Sequence, residues 1–321
     1  MLILISGTLS AGKTEVARYL TFRGFKLLEY TKNSNHIDNR GSDLLVHQLF
    51  NGLEQLLAFV TVHWRENYVV SHVSDVEMMQ ILCKRPFVLH VSVDAPMTLR
   101  LNRYRTKNTT FPDISLEDFA IKSDQLLYKE RLVEVCNLAQ VKIINTSESV
   151  KDLFVKLEEL DLLNKERLRP TWDSYFMQLA DLAALRSNCM KRRVGCVIVR
   201  DNRVVATGYN GTPRHLTNCN EGGCIRCNSA EGSGTGLSTC LCLHAEENAL
   251  LEAGRDRISN QSVLYCNTCP CLTCSIKIIQ SGIKEVIYAQ SYSMDDLSHK
   301  VMSEAGIILR QFQAPMDGVF V

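Results

Sequence analysis

The sequence C-L-C-L-H-A-E-E-N-A-L-L-E-A-G-R occupies residues 240–255, and it is followed by S-V-L-Y-C-N at 262–267 and T-C-P-C-L-T-C at 268–274. The first segment predicts a helix that begins near Ala245, and the second predicts a short buried strand. Pro270 suits the start of a further helix, because its missing N–H costs nothing there. This order of helix, strand and helix predicts that the two helices begin close together.

Three side chains near these two helix starts are ligand types that zinc prefers: His244, Cys271 and Cys274. Zinc takes nitrogen and sulfur ligands in a tetrahedron, and a catalytic zinc keeps one of its four positions for water. The two cysteines are three residues apart on one helix turn, so they lie on the same face. The positive end of the helix also favours thiolates. The spacing therefore predicts a zinc site with three protein ligands.

Glu246 lies two residues after His244 and is the candidate catalytic residue of this site. Zinc lowers the pKa of bound water towards ~7, and a neighbouring carboxylate can carry a proton from that water to a leaving amine. The alternative is a closed structural zinc site with Cys266 or Cys269 as the fourth ligand. A closed site gives Glu246 no role, so the H-A-E segment favours hydrolytic chemistry.

Composition predicts a two-domain protein of the ordinary globular class. The chain has 321 residues and a formal net charge of +1, which argues against nucleic acid as a partner. No apolar run approaches the roughly 18 residues of a membrane span, and the apolar N-terminus is too short for a signal peptide. Eleven of the thirteen cysteines fall between residues 189 and 274, which favours metal binding in a reducing compartment. We therefore expect a cytoplasmic location, with the nucleus as a second one, and no membrane partner.

The N-terminal half begins with a complete glycine-rich phosphate-binding pattern. Residues 2–6 predict a buried strand, 7–14 read G-T-L-S-A-G-K-T, and the following E-V-A-R-Y-L predicts a helix. This context of strand, loop and helix is the one in which a P-loop holds nucleotide phosphates and Mg²⁺. The Lys of the pattern reaches the outer phosphates and the Thr holds Mg²⁺. The P-loop candidates are Gly7, Gly12, Lys13 and Thr14.

The remainder of this half alternates strands with helices, which predicts a doubly wound parallel sheet. Strands are expected at 24–30, 68–73 and 87–94, and helices at 44–60 and around Arg100, Arg103 and Arg105. Residues 1–165 resemble small P-loop kinases of nucleotides or coenzyme precursors. A P-loop domain joined to another enzyme can lose turnover and keep only nucleotide binding or packing, so its activity stays open.

A charged segment that ends at Pro170 marks the boundary to a second domain, predicted at 171–315. After a helix that starts at Trp172, this domain is predicted to be an α/β/α sandwich on a five-stranded mixed sheet. The zinc site lies at two helix N-termini above that sheet. The expected strands are 193–199, 203–209, 262–267, 285–290 and 307–312.

A second metal site is predicted in a Gly-, Asn- and Ser-rich insert before the H-A-E segment. The insert has little apolar content, and a zinc–thiolate site would supply its folding free energy directly. The favoured ligands are Cys189, Cys219, Cys224 and Cys227. Spacing fixes no connectivity, so Cys240 and Cys242 stay open as ligands. Reduced thiols without a metal are the alternative.

The pattern R-x-V-G…G-Y-N-G-x-P…H-A-E-x-N-A…P-C-x-x-C resembles deoxycytidylate deaminases of the cytidine and deoxycytidylate deaminase superfamily. Together with the P-loop half, it resembles the fungal type over nearly the whole length. The resemblance implies hydrolysis of dCMP to dUMP for thymidylate synthesis, a homohexamer, activation by dCTP and inhibition by dTTP. It implies a structural zinc in the cysteine-rich region. It also assigns His244, Cys271 and Cys274 as zinc ligands and Glu246 as the proton shuttle.

Three further residues are candidates for contact with a nucleotide. Asn210 matches a polar residue near the sugar and base, or it is only a turn residue before Gly211. Tyr292 is a phosphate-side candidate, with surface packing as its alternative. Arg193 could contact a phosphate at the active or effector site, or be a solvated flank of its strand.

Other functions share parts of this pattern. A deaminase of tRNA or single-stranded DNA has the same zinc ligands, but it needs basic and aromatic surface for strand contacts. A nucleotide kinase acting through Lys13, alone or in a bifunctional protein, is a second alternative. A zinc-dependent binding module without chemistry is a third.

Overall fold

The computed structural model describes residues 1–30, 44–108, 113–229, 235–291, 295–314 and 318–320. The chain forms two compact units, Met1–Arg169 together with the strand Gly318–Phe320, and Pro170–Ala314. The two predicted domains follow one another along the chain and leave this last strand unassigned. Across the described ranges, no helix has both the length and the apolar character needed to span a membrane.

The first unit is built on a seven-stranded sheet. Its strands are β1 (Leu2–Gly7), β2 (Lys26–Tyr30), β3 (Val46–Phe50), β4 (Tyr68–Val70), β5 (Val88–Asp94), β6 (Val141–Ile144) and, from the end of the chain, β12 (Gly318–Phe320). Its helices are α1 (Lys13–Phe22), α2 (Leu53–Val62), α3 (Val76–Leu82), α4 (Met97–Lys107), α5 (Leu116–Asp124), α6 (Leu132–Asn137) and α7 (Val150–Glu159). A π-helical turn, Gln125–Lys129, follows α5, and a 3₁₀ turn, Lys165–Arg167, follows α7.

Every pairing in this sheet is parallel, and the strand order is β12-β6-β5-β1-β4-β2-β3. Alternate residues of the buried strand β1 face two different cores. Ile3 and Ile5 pack with residues of α1 and α7, whereas Leu2 and Leu4 pack with residues of α2 and α3. The predicted parallel sheet is thus confirmed.

Residues 44–60 differ from the single helix predicted for them. Val46–Phe50 is the edge strand β3, which pairs with β2, and α2 begins only at Leu53. Gly52 separates the two elements with a backbone φ of 152°, a conformation that glycine adopts at low cost. The apolar residues of this segment fit either period over such short runs, so periodicity could not separate a strand from a helix.

The second unit is built on a five-stranded sheet. Its strands are β7 (Gly195–Arg200), β8 (Arg203–Tyr209), β9 (Val263–Thr268), β10 (Glu285–Gln290) and β11 (Ile308–Gln311). Its helices are α8 (Trp172–Ala184), α9 (Ile225–Asn228), α10 (Ala245–Ala253), α11 (Leu272–Ser281) and α12 (Asp295–Glu304). Short 3₁₀ turns lie at Cys219–Glu221, Leu237–Thr239 and Arg255–Arg257.

This second sheet is mixed, as predicted. Its order is β11-β10-β9-β7-β8, with β7 antiparallel to both of its neighbours and β9, β10 and β11 parallel to one another. On one face Phe176 and Met177 of α8 pack against Val197 and Tyr265. On the other face, residues of α10, α11 and α12 share a core with Cys196 and other sheet residues. The starts of α10 and α11 therefore lie on the same face of the sheet.

Gly208 allows α10 to approach β8 at backbone distance. A Cβ added at Gly208 would lie 2.1 Å from the carbonyl oxygen of Ala245 and 2.5 Å from the amide nitrogen of Ala249. Replacing Gly208 by alanine is therefore expected to lower the free energy of unfolding by about 3 kcal/mol, since the clash is with backbone that cannot rotate away. Urea denaturation followed by circular dichroism measures this change.

Gly282 supplies the matched control for that substitution. It ends α11 in the left-handed region, with φ 86° and ψ 22°, and a Cβ there meets nothing within 4 Å. Asparagine tolerates this conformation, so Gly282→Asn should change the stability by only a few tenths of a kcal/mol. Equal stability of the Gly208→Ala and wild-type proteins would contradict the close-approach argument.

Candidate active site and metal-binding residues

The structure brings His244, Cys271 and Cys274 together at the starts of α10 and α11. The Nδ1 atom of His244 lies 3.4 Å from Sγ of Cys271 and 3.3 Å from Sγ of Cys274. All three ligand atoms lie within 4.8 Å of one another. In a tetrahedral zinc site the nitrogen-to-sulfur edge is about 3.6 Å, given the usual zinc–ligand bond lengths. The donor set and its spacing therefore fit a zinc ion.

Two helix N-termini surround these ligands. His244 is the N-cap residue of α10 and Cys271 is the N-cap residue of α11, with Cys274 on the first turn of the same helix. Hydrogen bonds from Cys274 and His244 lower the pKa of Cys271 to about 3. The hydrogen bond to Cys271 and the charge of Glu246 raise the pKa of His244 to about 9. The hydrogen bond to Cys271 in turn raises the pKa of Cys274 above its usual value, so one proton is held within this pair of thiols. Zinc binding requires both cysteines as thiolates and His244 as a neutral imidazole, so it would release protons from this group.

Glu247 ties the two ligand-bearing helices to each other. One of its carboxylate oxygens accepts a hydrogen bond from the backbone N–H of His244 at 3.3 Å, and the other forms an ion pair with Lys277 of α11. Neither residue was singled out from the sequence. The available signal was a glutamate at the third helical position, where it can close a capping box with the N-cap residue.

Glu246 lies beside the three ligands, but its carboxylate oxygens do not belong to the group of ligand atoms that lie within 4.8 Å of one another. Its side chain is in the first turn of α10 and is 4% exposed. Burial raises the pKa of its carboxyl to about 7. A carboxyl group with a pKa near neutrality can both accept and donate a proton at physiological pH.

The closed-site alternative required Cys266 or Cys269 as a fourth ligand. Considering only the described part of the chain, no fourth His, Cys, Asp or Glu ligand atom lies within 4.8 Å of all three. Cys266 is fully buried in the core of the sheet, and Sγ of Cys269 lies 3.9 Å from the carbonyl oxygen of Pro270. The geometry therefore favours a zinc site with three protein ligands, the arrangement of catalytic sites.

The P-loop candidates lie together between the central strand β1 and helix α1. Gly7 ends the strand, Gly12 precedes the helix, and Lys13 and Thr14 are the first two helical residues. Nζ of Lys13 donates to the carbonyl oxygens of Gly7 at 3.0 Å and Thr8 at 2.6 Å. Gly12 has a φ of 111°, and a Cβ on Gly7 would lie 2.0 Å from a backbone oxygen of β5. Both glycines are therefore required by the backbone path.

Neighbouring strands and helices hold this loop by hydrogen bonds that the sequence did not indicate. Nδ2 of Asn145 donates to the carbonyl oxygen of Ala11 at 2.9 Å, and the guanidinium of Arg103 donates to the same oxygen at 3.1 Å. Oγ1 of Thr8 donates to Asp94 at 2.5 Å. The loop is thus anchored at both ends. Arg103 was noted from the sequence as a residue of a helix, and the structure gives it this contact.

The three candidates for nucleotide contact have different surroundings. Asn210 is buried, and its Oδ1 accepts from the backbone N–H of Val194 at 2.9 Å and from Oγ of Ser187 at 2.7 Å. Its Nδ2 donates to the carbonyl oxygen of Arg192 at 2.8 Å. Arg193 is exposed on the flank of β7. Tyr292 lies outside the described residues.

Six cysteines of the second unit pack together in a separate group, four of them buried and Cys189 and Cys240 partly buried. We name this group the cysteine cluster: Cys189, Cys219, Cys224, Cys227, Cys240 and Cys242. The four favoured from the sequence do not form one tetrad. One tetrad is Cys189, Cys219, Cys227 and Cys242, and the other is Cys224, Cys227, Cys240 and Cys242. Cys224 thus belongs with Cys240 rather than with Cys189 and Cys219. Folding of the insert sets this grouping, and sequence spacing does not reveal it.

Known proteins resemble both the second unit and the full chain. The family described as the cytidine and deoxycytidylate deaminase zinc-binding region matches residues 170–290. The deoxycytidylate deaminase of Schizosaccharomyces pombe is 50% identical over 98% of each chain. That of Saccharomyces cerevisiae is 47% identical over 97% of this chain and 96% of its own. A solved dCMP deaminase of cyanophage S-TIM5, in complex with dCMP and dUMP, is 32% identical over 43% of this chain and 94% of its own, with a TM-score of 0.36.

Proposed function

Because this chain belongs to the deoxycytidylate deaminase family, we propose that it hydrolyses dCMP to dUMP and ammonia. The observation that carries the proposal is the set of His244, Cys271 and Cys274, with buried Glu246 beside it. The three ligands suit a zinc ion, and the carboxyl group suits proton transfer. The product dUMP would supply thymidylate synthesis, which is the role that the family resemblance implies.

Each residue of the site has one task in this reaction. His244, Cys271 and Cys274 would hold zinc, which when bound lowers the pKa of water towards ~7. Glu246 takes a proton from the water that attacks C4 of cytosine and passes it to N3 of the ring. Glu246 then takes the remaining proton from the oxygen that has been added to C4 and delivers it to the amino group on C4. The amino group leaves as ammonia, and the C4 carbonyl forms. The near-neutral pKa of Glu246 allows transfer in both directions.

Asn210 and Arg193 are the candidates for substrate contact on this chain. The hydrogen bonds of Asn210 to Ser187, Val194 and Arg192 support a first role, which is to fix the loop after β8. Its amide group has a second N–H that could donate to the sugar or base. Arg193 is exposed and could contact a phosphate of the substrate or of an effector.

Ammonia release from four substrates tests the proposal: dCMP, CMP, cytidine and an RNA hairpin. We expect dCMP to have the highest kcat/KM, and the other three to be poor substrates. Preference for the hairpin would instead indicate a polynucleotide deaminase. Absence of ammonia from all four, with metal bound, would indicate a binding module. The same assay with dCTP and dTTP tests activation and inhibition, which we propose from the family resemblance.

The N-terminal unit is proposed to bind a nucleotide with Mg²⁺ at Gly7, Gly12, Lys13 and Thr14. Support comes from the order of strand, loop and helix, and from the helix N-terminus that follows the loop. This unit would then be a P-loop nucleotide-kinase-like domain. If this unit also transfers phosphate from the nucleotide, the protein is bifunctional, with a kinase activity beside the deaminase activity.

Replacing Lys13 by alanine is expected to weaken nucleotide binding by roughly 10- to 100-fold, since a charge-assisted hydrogen bond contributes about 1.5–3 kcal/mol. Binding of ATP with Mg²⁺ by calorimetry measures this change, and phosphate release measures turnover. Lys151→Ala is the control, because Lys151 is exposed on α7 of the same unit. Equal ATP affinity in the wild-type and Lys13→Ala proteins would contradict binding at the P-loop.

We also propose a cytoplasmic or nuclear location and a homohexamer. The concentration of cysteines in two candidate metal-binding groups supports a reducing compartment. The hexamer follows from the family resemblance, and light scattering of the purified protein measures it.

A further inference from the structure

The cysteine cluster consists of two tetrads that share an edge. Cys227 and Cys242 belong to both tetrads, Cys189 and Cys219 only to one, and Cys224 and Cys240 only to the other. Two tetrahedra that share an edge have six corners in total. The cluster thus supplies as many sulfur atoms as two four-coordinate ions need when two thiolates bridge them.

The sulfur-to-sulfur distances match those of metal tetrathiolates. Sγ of Cys227 lies 3.9 Å from that of Cys189, 3.6 Å from that of Cys240 and 3.8 Å from that of Cys242. Sγ of Cys224 lies 4.0 Å from that of Cys240. A tetrahedron with zinc–sulfur bonds of about 2.3 Å has edges of about 3.8 Å. A disulfide has a sulfur-to-sulfur distance of about 2.05 Å, so these pairs are not oxidised.

We propose that the cysteine cluster holds two zinc ions, bridged by the thiolates of Cys227 and Cys242. A single ion would take one tetrad and leave two cysteines of the other without a metal. Cys219 and Cys224 are both fully buried and belong to different tetrads. Either choice of a single tetrad would therefore leave a fully buried thiol unused. An all-sulfur tetrahedral donor set selects zinc over harder divalent ions.

Hydrogen-bond donors lie against the sulfurs of both tetrads. The backbone N–H of Met190 donates to Sγ of Cys219 at 3.4 Å, and that of Leu241 donates to Sγ of Cys224 at 3.4 Å. The guanidinium of Arg226 lies 3.7 Å from Sγ of Cys240. Six thiolates and two divalent ions carry a net charge of about −2, which such donors and Arg226 offset. Donors to both tetrads are expected if both hold an ion.

The ions would organise a segment that has little regular structure of its own. The helical structure of the described residues between β8 and α10 is limited to α9 and two 3₁₀ turns. Binding of two metal ions supplies folding free energy that such a segment cannot obtain from an apolar core. Cys242 also lies two residues before His244, and Leu243 pairs with Gly211 in an antiparallel bridge. The cluster would thereby position the start of α10, whatever substrate the active site takes.

Counting metal ions in the full-length protein tests the proposal. Native mass spectrometry and elemental analysis should find three zinc ions in each wild-type chain. Cys274→Ser, which removes one ligand of the His244 site, should retain two. Cys227→Ser, which removes a bridging thiolate, should lose both cluster ions and retain one. Two ions in the wild type and one in Cys274→Ser would overturn the proposal, because the cluster would then hold a single ion.

A second measurement decides the case even if Cys227→Ser does not fold. Cys274→Ser protein is loaded with ¹¹³Cd, and its cadmium NMR spectrum is recorded. Two resonances in the range of sulfur-rich sites, split by a coupling through the bridging sulfurs, are expected. One resonance, or two without a shared coupling, would contradict the bridged pair. The result does not depend on deaminase activity, so the proposed function can fail or succeed independently.

Discussion

Glu246→Gln is expected to lower kcat for dCMP deamination by at least ~10³-fold while leaving the zinc content of the protein unchanged. Glutamine has nearly the same shape as glutamate, but its amide cannot take a proton from water or return one to the leaving amine. Glu246 lies outside the mutually close set of ligand atoms, so all three donors stay in place. Ammonia release and elemental analysis on the same preparation measure the two quantities.

Glu252→Gln is the matched control for this substitution. Glu252 lies on the same helix, and its exposed side chain forms an ion pair with Arg214 at 3.3 Å. Exposed ion pairs contribute little to stability, so this variant should deaminate dCMP at the wild-type rate. If Glu246→Gln loses zinc along with its activity, Glu246 is a ligand, and the roles that we assign to the site are wrong.

Cys274→Ser should abolish deamination and remove one zinc ion from each chain. The hydroxyl of serine remains protonated at neutral pH, and zinc sites use thiolate, imidazole or carboxylate donors. Only two good ligands would then remain at the starts of α10 and α11. We expect kcat/KM for dCMP to fall to the background of the assay, a loss of at least ~10⁴-fold. Added zinc should not restore activity, whereas it should restore activity in wild-type protein that a chelator has stripped.

Cys83→Ser serves as the control, because Cys83 is an exposed thiol of the first unit. It should keep both its zinc content and its activity. Full activity in Cys274→Ser would show that the reaction does not need the proposed ligand set. Loss of activity with an unchanged zinc count would place the catalytic metal elsewhere.

The active-site ligands could be predicted from the sequence because local geometry determines their positions. Cys271 and Cys274 occupy one helix turn, and His244 caps the start of another helix, so spacing alone places each group at a helix N-terminus. The parallel and mixed sheets were predictable for a similar reason, since strands alternating with helices permit few arrangements. The supporting residues of the site could not be predicted, because they depend on contacts between segments that are distant in sequence. The ion pair of Glu247 with Lys277 is an example.

Other features depended on long-range packing that sequence periodicity does not report. The edge strand Val46–Phe50 pairs with β2, and its apolar residues suit a helix equally well until that pairing is known. The grouping of Cys224 with Cys240 depends on how the insert folds back on itself. For Asn210 the sequence allowed two roles, a turn residue or a contact to the sugar and base of a nucleotide. The structure shows three hydrogen bonds from its side chain to the surrounding chain.

The pairing of β12 with β6 has a consequence for dissecting the protein. The chain leaves the first unit after Arg169 and returns to it at Gly318–Phe320. Along the chain, the second unit is therefore an insertion within the first. Excising it requires two breaks in the backbone, and a protease that cuts once near Pro170 would leave the fragments associated through the sheet. Truncating the chain after Ala314 would strip β6 of its outer neighbour, so the unpaired edge of the sheet would move from the three-residue strand β12 to the four-residue strand β6. A longer unpaired edge favours pairing with other chains.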